Sequence, residues 1–410
     1  MIRPELLKSL NELAAWAVAM GWCIRTTEAM KNLPLVANLT DLDRNVVPEG
    51  TPGLTVIVPA RDEAENIAAT LDTLMQQDYA GVMVVAVDDR STDATGAIMD
   101  DYAARFPERV RVLHITELAY GWLGKTHALA QGLALAESEY VLFTDGDVLF
   151  SPSVLRRSLA YAVDERADHL VTVPTMQVKT WGEGVVLGFF QTLGLWATRP
   201  WKVSDPKAER DVIGIGAFNL FRREALVAIG GMMPQRLAVL EDITLARRMQ
   251  AAGMRQRVAF APGLVLVHWA AGANGLMRVM SKNLFSAFNF RPALALAACV
   301  GIALFCLGPL VGLFYWGTMV PGLLVVACLS IAYRMYGELS WIPAKYGWAF
   351  PLGAVAFIYA VVRSMVVVWK DRGVKWRGTL YPLRELRRHN SMRQWAKKAG
   401  EVRQPGGGGF

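Results

Sequence analysis

The stretch LTVIVPARDEAENI, residues 54 to 67, begins as a continuous apolar run and turns polar at its carboxyl end. Five apolar or β-branched residues in a row, Leu54 to Val58, predict a strand that is buried on both faces. The amphipathic segment that follows, Ala64 to Gln76, predicts a helix. A buried strand that leads into an amphipathic helix is the repeating unit of a parallel α/β sheet.

The same unit repeats along the next hundred residues. This alternation predicts an α/β fold with a parallel sheet covered on both faces by helices, in which ligands bind at the carboxyl ends of the strands. The further predicted strands are Val82–Val87, Val110–Ile115 and Tyr140–Thr144, and the further helices are Thr92–Ala104, Lys125–Ala136 and Pro152–Val163.

Apolar residues are concentrated after this α/β segment. Hydrophobic residues make up 53% of the 410 residues and charged residues 19%, which is more apolar than a typical soluble domain. The segment Pro292 to Ile331 is nearly free of charge and predicts two membrane spans, broken near Gly317 to Pro321. A third candidate span is Phe350 to Trp369, although Arg363 lies inside it. A buried helical domain is the alternative interpretation.

The formal net charge is +7, and much of the basic excess follows the apolar block. A basic tail beside an apolar block indicates an anionic membrane surface rather than nucleic acid as the partner. The Lys and Arg residues after Lys370 favour a cytoplasmic tail, yet three complete spans after a cytoplasmic α/β domain would leave that tail outside. One candidate is therefore re-entrant or interfacial, or the stretch from Trp341 to Trp348 adds a partial span. The segment Trp376 to Arg388 suits a helix or turn on the membrane surface.

The amino-terminal region is apolar but short. The run Leu10 to Ile24 lacks a cleavage site and is interrupted by Asn11 and Glu12, so it predicts a helix lying on the membrane rather than a signal peptide. A buried helix is the alternative. The four cysteines form no CxxC pair and indicate neither a disulfide framework nor a zinc site. The expected organisation is an amino-terminal helix and linker (1–50), a catalytic domain (51–290), transmembrane helices (291–370) and a basic cytoplasmic tail (371–410).

Polar side chains follow each predicted strand. Asp88 and Asp89 end the second strand, where a carboxylate can accept a hydrogen bond from the imide N–H of a pyrimidine base, or can belong to a helix-capping cluster. Gly124 and Lys125 open the helix after the third strand. The free amides of that helix start and the lysine charge suit a phosphate group.

Two carboxylates one residue apart follow the fourth strand, in the sequence TDGD. Asp145 and Asp147 repel each other unless a positive charge lies between them. Carboxylate oxygens suit Mg²⁺ or Mn²⁺, which predicts a metal site; a polar turn is the alternative. His268, which follows a later apolar run, is either a further metal ligand or a structural residue.

A second acidic pair, Glu241 and Asp242, precedes the amphipathic segment ITLARRM. Carboxylates at a helix start are stabilised by the helix dipole alone. The functional interpretation is that Asp242 acts as a general base, taking a proton from an acceptor hydroxyl.

In this order, the motifs of residues 52 to 290 resemble those of family 2 glycosyltransferases, which have the Rossmann-like GT-A fold. The resemblance is carried by VIVPARDEAENI, VDDRSTD, GWLGKTHALAQG, TDGD and LEDITLARRM. The GWxGK element, the segment Gly214 to Gly231 and the apolar block are most similar to the branch that glycosylates lipids, which includes hopanoid-associated, carotenoid and ceramide-type enzymes. Ceramide-type and processive members carry a QxxRW element, which the stretch Leu276 to Arg291 lacks.

The resemblance implies a role for each matching residue. Asp242, with Glu241 beside it, would be the catalytic base of an inverting single displacement. Asp147 would bind the divalent cation, Mn²⁺ or Mg²⁺, together with Asp145, which also lies against the sugar or ribose. The implied nucleotide-binding residues are Pro59, Arg61, Glu63, Asp88, Asp89, Lys125 and Asp145.

The expected function is a metal-dependent glycosyltransferase of the cell (inner) membrane, multi-pass, with its catalytic domain facing the cytoplasm. It would transfer a sugar from a nucleotide-sugar donor, a UDP-sugar, to the hydroxyl of a lipid acceptor, with no nucleic-acid partner. A processive polysaccharide synthase is disfavoured by the small apolar block and the missing QxxRW element. A nucleotidyltransferase is disfavoured because PARDEAEN has no glycine, and a non-catalytic membrane scaffold because Asp145, Asp147 and Asp242 are all present.

Overall fold

The computed structural model describes residues 4–208 and 210–389. It divides into two compact units. The helical unit comprises the described parts of Met1–Leu35, Met176–Arg199 and Trp269–Arg372. The sheet unit comprises Val36–Thr175, Pro200–His268 and the described part of Gly373–Phe410. The chain therefore returns to the sheet unit after it has built the apolar helices.

Strands lie in the sheet unit almost without exception, because the continuous β-branched and aliphatic runs are found there. In chain order they are β1 (Ala37–Asn38), β2 (Leu54–Ala60), β3 (Val82–Asp89), β4 (Val110–Ile115), β5 (Tyr140–Phe143), β6 (Val148–Phe150), β7 (His169–Val173), β8 (Thr175–Met176), β9 (Asn219–Arg222), β10 (Gln256–Phe260), β11 (Val265–Val267), β12 (Gly373–Trp376) and β13 (Thr379–Pro382).

Helices occur in both units. In chain order they are α1 (Pro4–Asn32), α2 (Ile67–Met75), α3 (Thr95–Arg105), α4 (Gly124–Ala134), α5 (Val154–Asp164), α6 (Trp181–Ala197), α7 (Arg223–Ala228), α8 (Glu241–Ala251), α9 (Gly272–Ala287), α10 (Pro292–Ile302), α11 (Gly308–Gly312), α12 (Trp316–Ser340), α13 (Phe350–Lys370) and α14 (Leu383–His389). Short 3₁₀ helices cover Leu33–Leu35, Leu42–Arg44, Pro200–Lys202, Met233–Gln235 and Ala344–Ala349, and a π-helical segment covers Ala303–Leu307.

The main sheet has the strand order β1-β10-β7-β9-β5-β2-β3-β4 in the described part of the chain. The predicted alternation is confirmed, because β2, β3, β4 and β5 pair in parallel and are followed by α2, α3, α4 and α5. Strand β10 also pairs in parallel with β1 and β7, as predicted, but the described sheet contains one antiparallel strand. Strand β9 runs antiparallel to both β5 and β7. The chain reaches β9 by way of the helical unit rather than through one crossover helix, so the geometry that makes neighbours parallel does not apply to it.

Burial explains why β2 lies in the interior of the sheet, between β5 and β3. All seven of its residues are buried, and its neighbours β3 and β5 are as apolar. Ile57, Val85 and Phe143 belong to one core cluster with residues of α4 and α8. Each such side chain stabilises the fold by about 1.5–3 kcal/mol relative to an exposed one. The core therefore fixes the strand ends, where the polar residues lie, relative to one another.

Helix α1 is longer than the sequence indicates. It is one helix of 29 residues, where the apolar run suggested only Leu10 to Ile24. It packs on α12 within the helical unit, and Trp22 stacks on Phe305 with ring centroids 5.7 Å apart. Its other face exposes apolar side chains, such as Leu13. One face of α1 is therefore packed within the helical unit, as the buried-helix alternative predicts. The position of its exposed apolar face on a membrane stays a prediction.

Among the described residues, three helical segments are long and apolar enough to cross a membrane: Pro292–Gly312, Trp316–Ser340 and Ala344–Lys370. The presence of three apolar helices was predicted and is confirmed. The break between the first two falls before Trp316, so Pro321 lies inside a helix. The guanidinium of Arg363 in α13 has a partner within the helical unit, since it donates to the Ser281 hydroxyl of α9 at 2.8 Å.

The helical unit encloses an apolar cavity of about 300 Å³. Its wall is rich in aromatic rings and includes the π-helical segment Ala303–Leu307, whose extra residue per turn interrupts the regular α-helix. Lining side chains include Trp22, Phe189, Trp196 and Phe350.

The segment after the apolar helices is a two-stranded hairpin followed by α14. Strands β12 and β13 pair antiparallel, with Trp376 opposite Thr379, which leaves a two-residue turn. The sequence predicted a helix or turn from Trp376 to Arg388. The structure has the turn Arg377–Gly378, strand β13, which was not predicted, and α14 from Leu383 onwards. A position on the membrane surface stays a prediction. Alternating side chains and an Arg-Gly turn make the hairpin possible. The remainder of the predicted basic tail, 390–410, lies outside the described residues.

Candidate active site at the carboxyl ends of the strands

The loops after β2 and β3 are tied together by side-chain caps. The backbone N–H of Thr92 donates to the Asp62 carboxylate at 2.7 Å, and the N–H of Ala64 donates to the Asp93 carboxylate at 3.0 Å. The N–H of Glu63 donates to the Thr95 hydroxyl at 2.8 Å. Asp62 and Asp93 are therefore structural, and they hold both loops at one edge of the sheet.

The first of these loops contains two of the predicted nucleotide-binding residues, Arg61 and Glu63. A third, Pro59, lies at the end of the preceding strand. Pro59 is buried within β2, and Glu63 faces Asp147 closely enough to affect its charge. The Nε of Arg61 is buried and has no hydrogen-bond partner. A buried donor without an acceptor is costly, so this position suits a ligand that carries acceptor oxygens.

The two aspartates that end β3 have different partners. The Asp88 carboxylate accepts from the N–H of Ser91 at 3.1 Å and lies 3.0 Å from Nδ1 of His114. Asp89 is buried and receives two hydrogen bonds from the Arg90 guanidinium, at 2.7 and 2.9 Å. Asp88 is thus directed towards β4, whereas Asp89 lies beside the start of α4. Their contacts with a base remain predictions.

A buried lysine joins residues from three elements. The Nζ of Lys125, at the start of α4, lies 2.6 Å from the Asp145 carboxylate after β5 and 2.7 Å from the Glu241 carboxylate at the start of α8. Burial lowers the pKa of Lys125, but the two carboxylates outweigh burial and hold that pKa well above its ordinary value. Lys125 therefore remains positively charged, and the Glu241 carboxylate is occupied by its ion pair with Lys125.

The positive charge next to Asp145 is thus the Lys125 ammonium group. For Asp147, burial, and then repulsion by Asp145 and Glu63, raise the pKa to about 7, although the charge of Lys125 acts in the opposite direction. A carboxylate in that position favours a bound cation, which would displace the proton.

The residues present fit a divalent cation held partly by its substrate. Among residues 4–208 and 210–389, no group of three or more His, Cys, Asp or Glu side chains is arranged to hold a metal ion, so His268 does not complete a protein cage around Asp145 and Asp147. One or two carboxylates, with phosphate oxygens and water filling the other positions, is the arrangement that Mg²⁺ commonly adopts.

Asp242 is held by backbone amides at the start of α8. Its carboxylate accepts from the N–H of Gly216 at 3.0 Å and from the N–H of Ile243 at 2.7 Å. Burial, followed by repulsion from Glu241, raises the pKa of Asp242 to about 7. A fixed carboxylate with a pKa near neutrality is suited to accept a proton from a substrate hydroxyl.

The loop GIGAF, residues 214–218, brings Gly216 to Asp242. A Cβ atom on Gly214 would lie 2.3 Å from the backbone carbonyl of Asp242, so only glycine permits this approach. The glycine spacing in the sequence was the available signal for this contact. Four residues at this site were not predicted: Arg90, Gly216, Arg377 and Tyr381. The last three contact residues that are remote in the sequence, so no local pattern indicated them.

Comparison with known proteins gives a family for the sheet unit. Residues 52–285 match the family model described as "Glycosyltransferase like family 2". Curated relatives include 4,4'-diaponeurosporenoate glycosyltransferases of Staphylococcus aureus, from strain MRSA252 at 37% identity and strain USA300 at 36%, each over 98 residues, which is 24% of this chain. The match spans 24% of the length of each of these relatives.

Similar solved structures include a mannosyltransferase and a protein solved in complex with UDP. A mannosyltransferase of Pyrobaculum calidifontis, in complex with GDP-Man and Mn²⁺, has 18% identity and a TM-score of 0.47 and covers 96% of this chain and 98% of its own. S. aureus TarS 1–349, in complex with UDP, has 17% identity and a TM-score of 0.40 and covers 79% of this chain and 93% of its own.

Proposed function

The chain belongs to glycosyltransferase family 2 and is a glycosyltransferase, and from this premise we propose that it transfers a sugar from a nucleotide-sugar donor to a lipid hydroxyl with inversion at the anomeric carbon. The observation that carries the proposal is the arrangement around Lys125. This one buried ammonium group brings Asp145 and Glu241 together, and Asp242 is held by Gly216 directly beside them. The Lys125 ammonium group, which can stabilise a negatively charged leaving group, and Asp242, which can act as a base for the acceptor hydroxyl, thus lie at the same edge of the sheet.

The donor nucleotide would occupy the loops after β2 and β3. The buried Nε of Arg61, which makes no hydrogen bond and lies 3.9 Å from the Asp62 carboxylate, supports an acceptor-rich ligand there, and Asp89 offers a buried carboxylate for the base. The amino-terminal end of α4 lies beside Lys125, and its dipole and its amides beyond Gly124 suit the diphosphate. We assign a UDP-sugar as the donor because a carboxylate such as Asp89 pairs with the imide N–H of uracil.

The proposed metal is Mn²⁺ or Mg²⁺. Asp147, with Asp145 adjoining, would hold it, since burial and the nearby carboxylates of Asp145 and Glu63 raise the pKa of Asp147 to about 7 and so favour a bound cation. Bound there, the cation would supply positive charge to the departing diphosphate. Lys125 contributes a second, permanent charge from the protein itself.

The acceptor side of the reaction depends on Asp242. Its carboxylate accepts two backbone hydrogen bonds, which fix its direction before substrate arrives. We propose that it takes the proton of the acceptor hydroxyl as that oxygen bonds to the anomeric carbon and the bond from that carbon to the diphosphate breaks. Glu241 acts indirectly, because it holds Lys125 rather than meeting the substrate.

A lipid acceptor is supported by the helical unit. Three of its helices are long and apolar enough to cross a membrane, and it contains an aromatic cavity of about 300 Å³ that suits part of an apolar chain. The curated relatives are named for 4,4'-diaponeurosporenoate, which agrees with glycosylation of an apolar acceptor. We therefore propose an enzyme of the cell membrane with its catalytic domain facing the cytoplasm.

The hairpin after the apolar helices bears on how many of them cross. Tyr381 and Arg377 of the hairpin contact Gly124 and Glu63 of the catalytic domain, which supports a location of both on one face of the membrane. An even number of crossings must then separate His268 from Gly373. We propose that Pro292–Gly312, which a π-helical segment divides, enters the membrane without crossing it and that α12 and α13 cross.

Single cysteines test this topology in sealed membrane vesicles. With the native cysteines replaced, we expect Phe314→Cys to react with an impermeant maleimide from the catalytic-domain face and Ala344→Cys from the opposite face. Both positions are exposed in the helical unit. Labelling of Phe314→Cys from the opposite face would contradict the proposed re-entrant segment.

The pH dependence of transfer follows from Asp242. The base must be unprotonated, and the pKa of Asp242 is raised to about 7, so the protonated, inactive fraction grows as pH falls through that value. We expect kcat at saturating donor to fall about tenfold per pH unit below neutrality. Nucleotide binding measured at each pH separates this effect from protonation of Asp147. A kcat that stays constant from pH 8 to pH 5.5 would contradict the assignment.

The proposed reaction is tested with membranes that contain the protein. They are incubated with a panel of labelled nucleotide sugars, and the lipid extract is analysed by mass spectrometry, with the Asp242→Asn variant as the blank. A lipid whose mass increases by one sugar supports the proposal. Label in polymer would indicate a synthase, and a nucleotide-sugar product would indicate a nucleotidyltransferase.

A further inference from the structure

The hairpin formed by β12 and β13 contacts the loops that border the proposed donor site. The backbone N–H of Gly124, at the start of α4, donates to the Tyr381 hydroxyl at 3.2 Å, and Tyr381 is itself buried. The Arg377 guanidinium pairs with the Glu63 carboxylate and also donates to the carbonyl of Asp62 at 3.4 Å. One short hairpin thus contacts two segments that are about sixty residues apart in sequence.

The hairpin turn consists of Arg377 and Gly378, with φ angles of 44° and 79°. Both residues of a two-residue hairpin turn of this type need positive φ, which glycine and asparagine adopt easily and arginine does not. The turn therefore carries a residue that is locally unfavourable. Local strain of this kind persists where tertiary contacts maintain it, and here the contact is the ion pair with Glu63.

Backbone strain recurs on the segments that the hairpin contacts. Asp62, whose carbonyl accepts from Arg377, has a φ of 52°, and Arg90 has a φ of 59°. The pKa of Arg90 is raised first by its hydrogen bond to Asp89 and to a smaller extent by Tyr381, so the tyrosine lies beside that pair. A Cβ atom on Gly124 would lie 2.4 Å from the Asp89 carboxylate, which shows how closely these groups approach.

The positive charge of Arg377 lies next to the negative charge of Glu63. Glu63 carries a carboxylate on the loop that borders the proposed donor site, and that carboxylate pairs with Arg377. An unpaired Glu63 would add negative charge where the diphosphate of a donor has to bind. The Arg377 guanidinium offsets that charge from outside the loop, since its side chain is only partly exposed and lies directly on Glu63.

We propose that the hairpin Gly373–Pro382 is part of the donor site, with Arg377 and Tyr381 as positioning residues that hold the Asp62–Glu63 loop and the start of α4 in their nucleotide-binding arrangement. This inference rests on the proposed function, because it concerns the same nucleotide site. It gives the region after the membrane helices a role in donor binding, which neither the family model, ending at residue 285, nor the strand-end motifs assign.

The test compares nucleotide binding by full-length protein in detergent, using UDP and GDP with MnCl₂ in titration calorimetry. We expect Arg377→Ala to weaken binding of the nucleotide about tenfold and to raise the donor KM with little change in kcat, because one charge-assisted contact near the site is lost. Arg377→Lys should recover part of the affinity. Arg384→Ala, an exposed arginine on α14, is the matched control for loss of one positive charge and should bind like the wild type.

A double variant separates charge from folding. If Arg377 acts by offsetting Glu63, then adding Glu63→Gln to Arg377→Ala should restore affinity relative to Arg377→Ala alone, with thermal denaturation reporting stability. Tyr381→Phe keeps the ring and removes only the hydroxyl, and we expect it also to raise the donor KM. Wild-type affinity in both Arg377→Ala and Tyr381→Phe would overturn the inference. Failure of the wild type to bind either nucleotide would instead overturn the proposed function.

Discussion

Replacing Asp242 by asparagine should abolish sugar transfer and leave nucleotide binding largely intact. General-base catalysis contributes about 10²–10⁴-fold to a rate, so we expect a loss of that order in kcat. The asparagine oxygen can still accept from the N–H of Gly216, which keeps the start of α8 in place. The measurements are transfer to lipid in membranes and UDP titration in the presence of Mn²⁺.

The matched control is Asp101→Asn on α3. That side chain is 62% exposed, and its partner Arg105 lies on the same surface helix. An exposed pair of this kind contributes little to stability, so the variant should transfer sugar at the wild-type rate. If Asp242→Asn retains activity within a few-fold of the wild type, Asp242 is not the base. If it loses nucleotide binding as well, its role is structural.

Replacing Asp147 by alanine should remove the metal dependence of nucleotide binding. Burial, followed by repulsion from Asp145 and Glu63, raises the pKa of Asp147 to about 7, and a bound cation would relieve that repulsion. We expect UDP affinity in Mn²⁺ to fall at least about tenfold, to the value measured for the wild type in chelator. Asp147→Asn, which preserves side-chain volume, should behave in the same way.

The comparison with chelator distinguishes a metal ligand from a structural residue. A structural role would lower affinity to the same extent with and without Mn²⁺ and would lower the thermal stability of the protein. An unchanged UDP titration in Mn²⁺ would contradict the assignment of Asp147 as ligand. In that case Lys125 would be the main positive charge available to the diphosphate.

Much of the catalytic domain could be predicted because its signals are local. The predicted strand Val110–Ile115 coincides with β4, and Leu54–Val58 and Val82–Val87 lie within β2 and β3. Continuous apolar runs bounded by polar turns determine strands in this class of fold. The antiparallel direction of β9 was not predictable, because it depends on a path through the helical unit rather than on residues within β9.

In the apolar helices, too, local properties were predictable from the sequence, and contacts between distant residues were not. Composition alone identifies three apolar helices, since length and the absence of charge are local properties. Composition cannot say that Arg363 donates to Ser281, or that the chain returns to the catalytic domain as a hairpin. The helix and turn predicted within Trp376–Arg388 are present, but strand β13 was not predicted, because so short a strand is determined by its pairing with β12 rather than by its own residues.

By itself, the sequence determined the order of strands and helices, the family motifs and the residue types at the strand ends, because each of these depends on neighbours within a few positions. Only the tertiary structure decided which charges meet. Lys125, Asp145 and Glu241 are separated by 20 and 96 residues, and no periodicity links them. The positive charge beside Asp145 is therefore a lysine at the start of α4, and Asp147 is the carboxylate that we propose as the cation ligand. Ion pairs of this kind form only when the packed core brings separate strand ends to one edge.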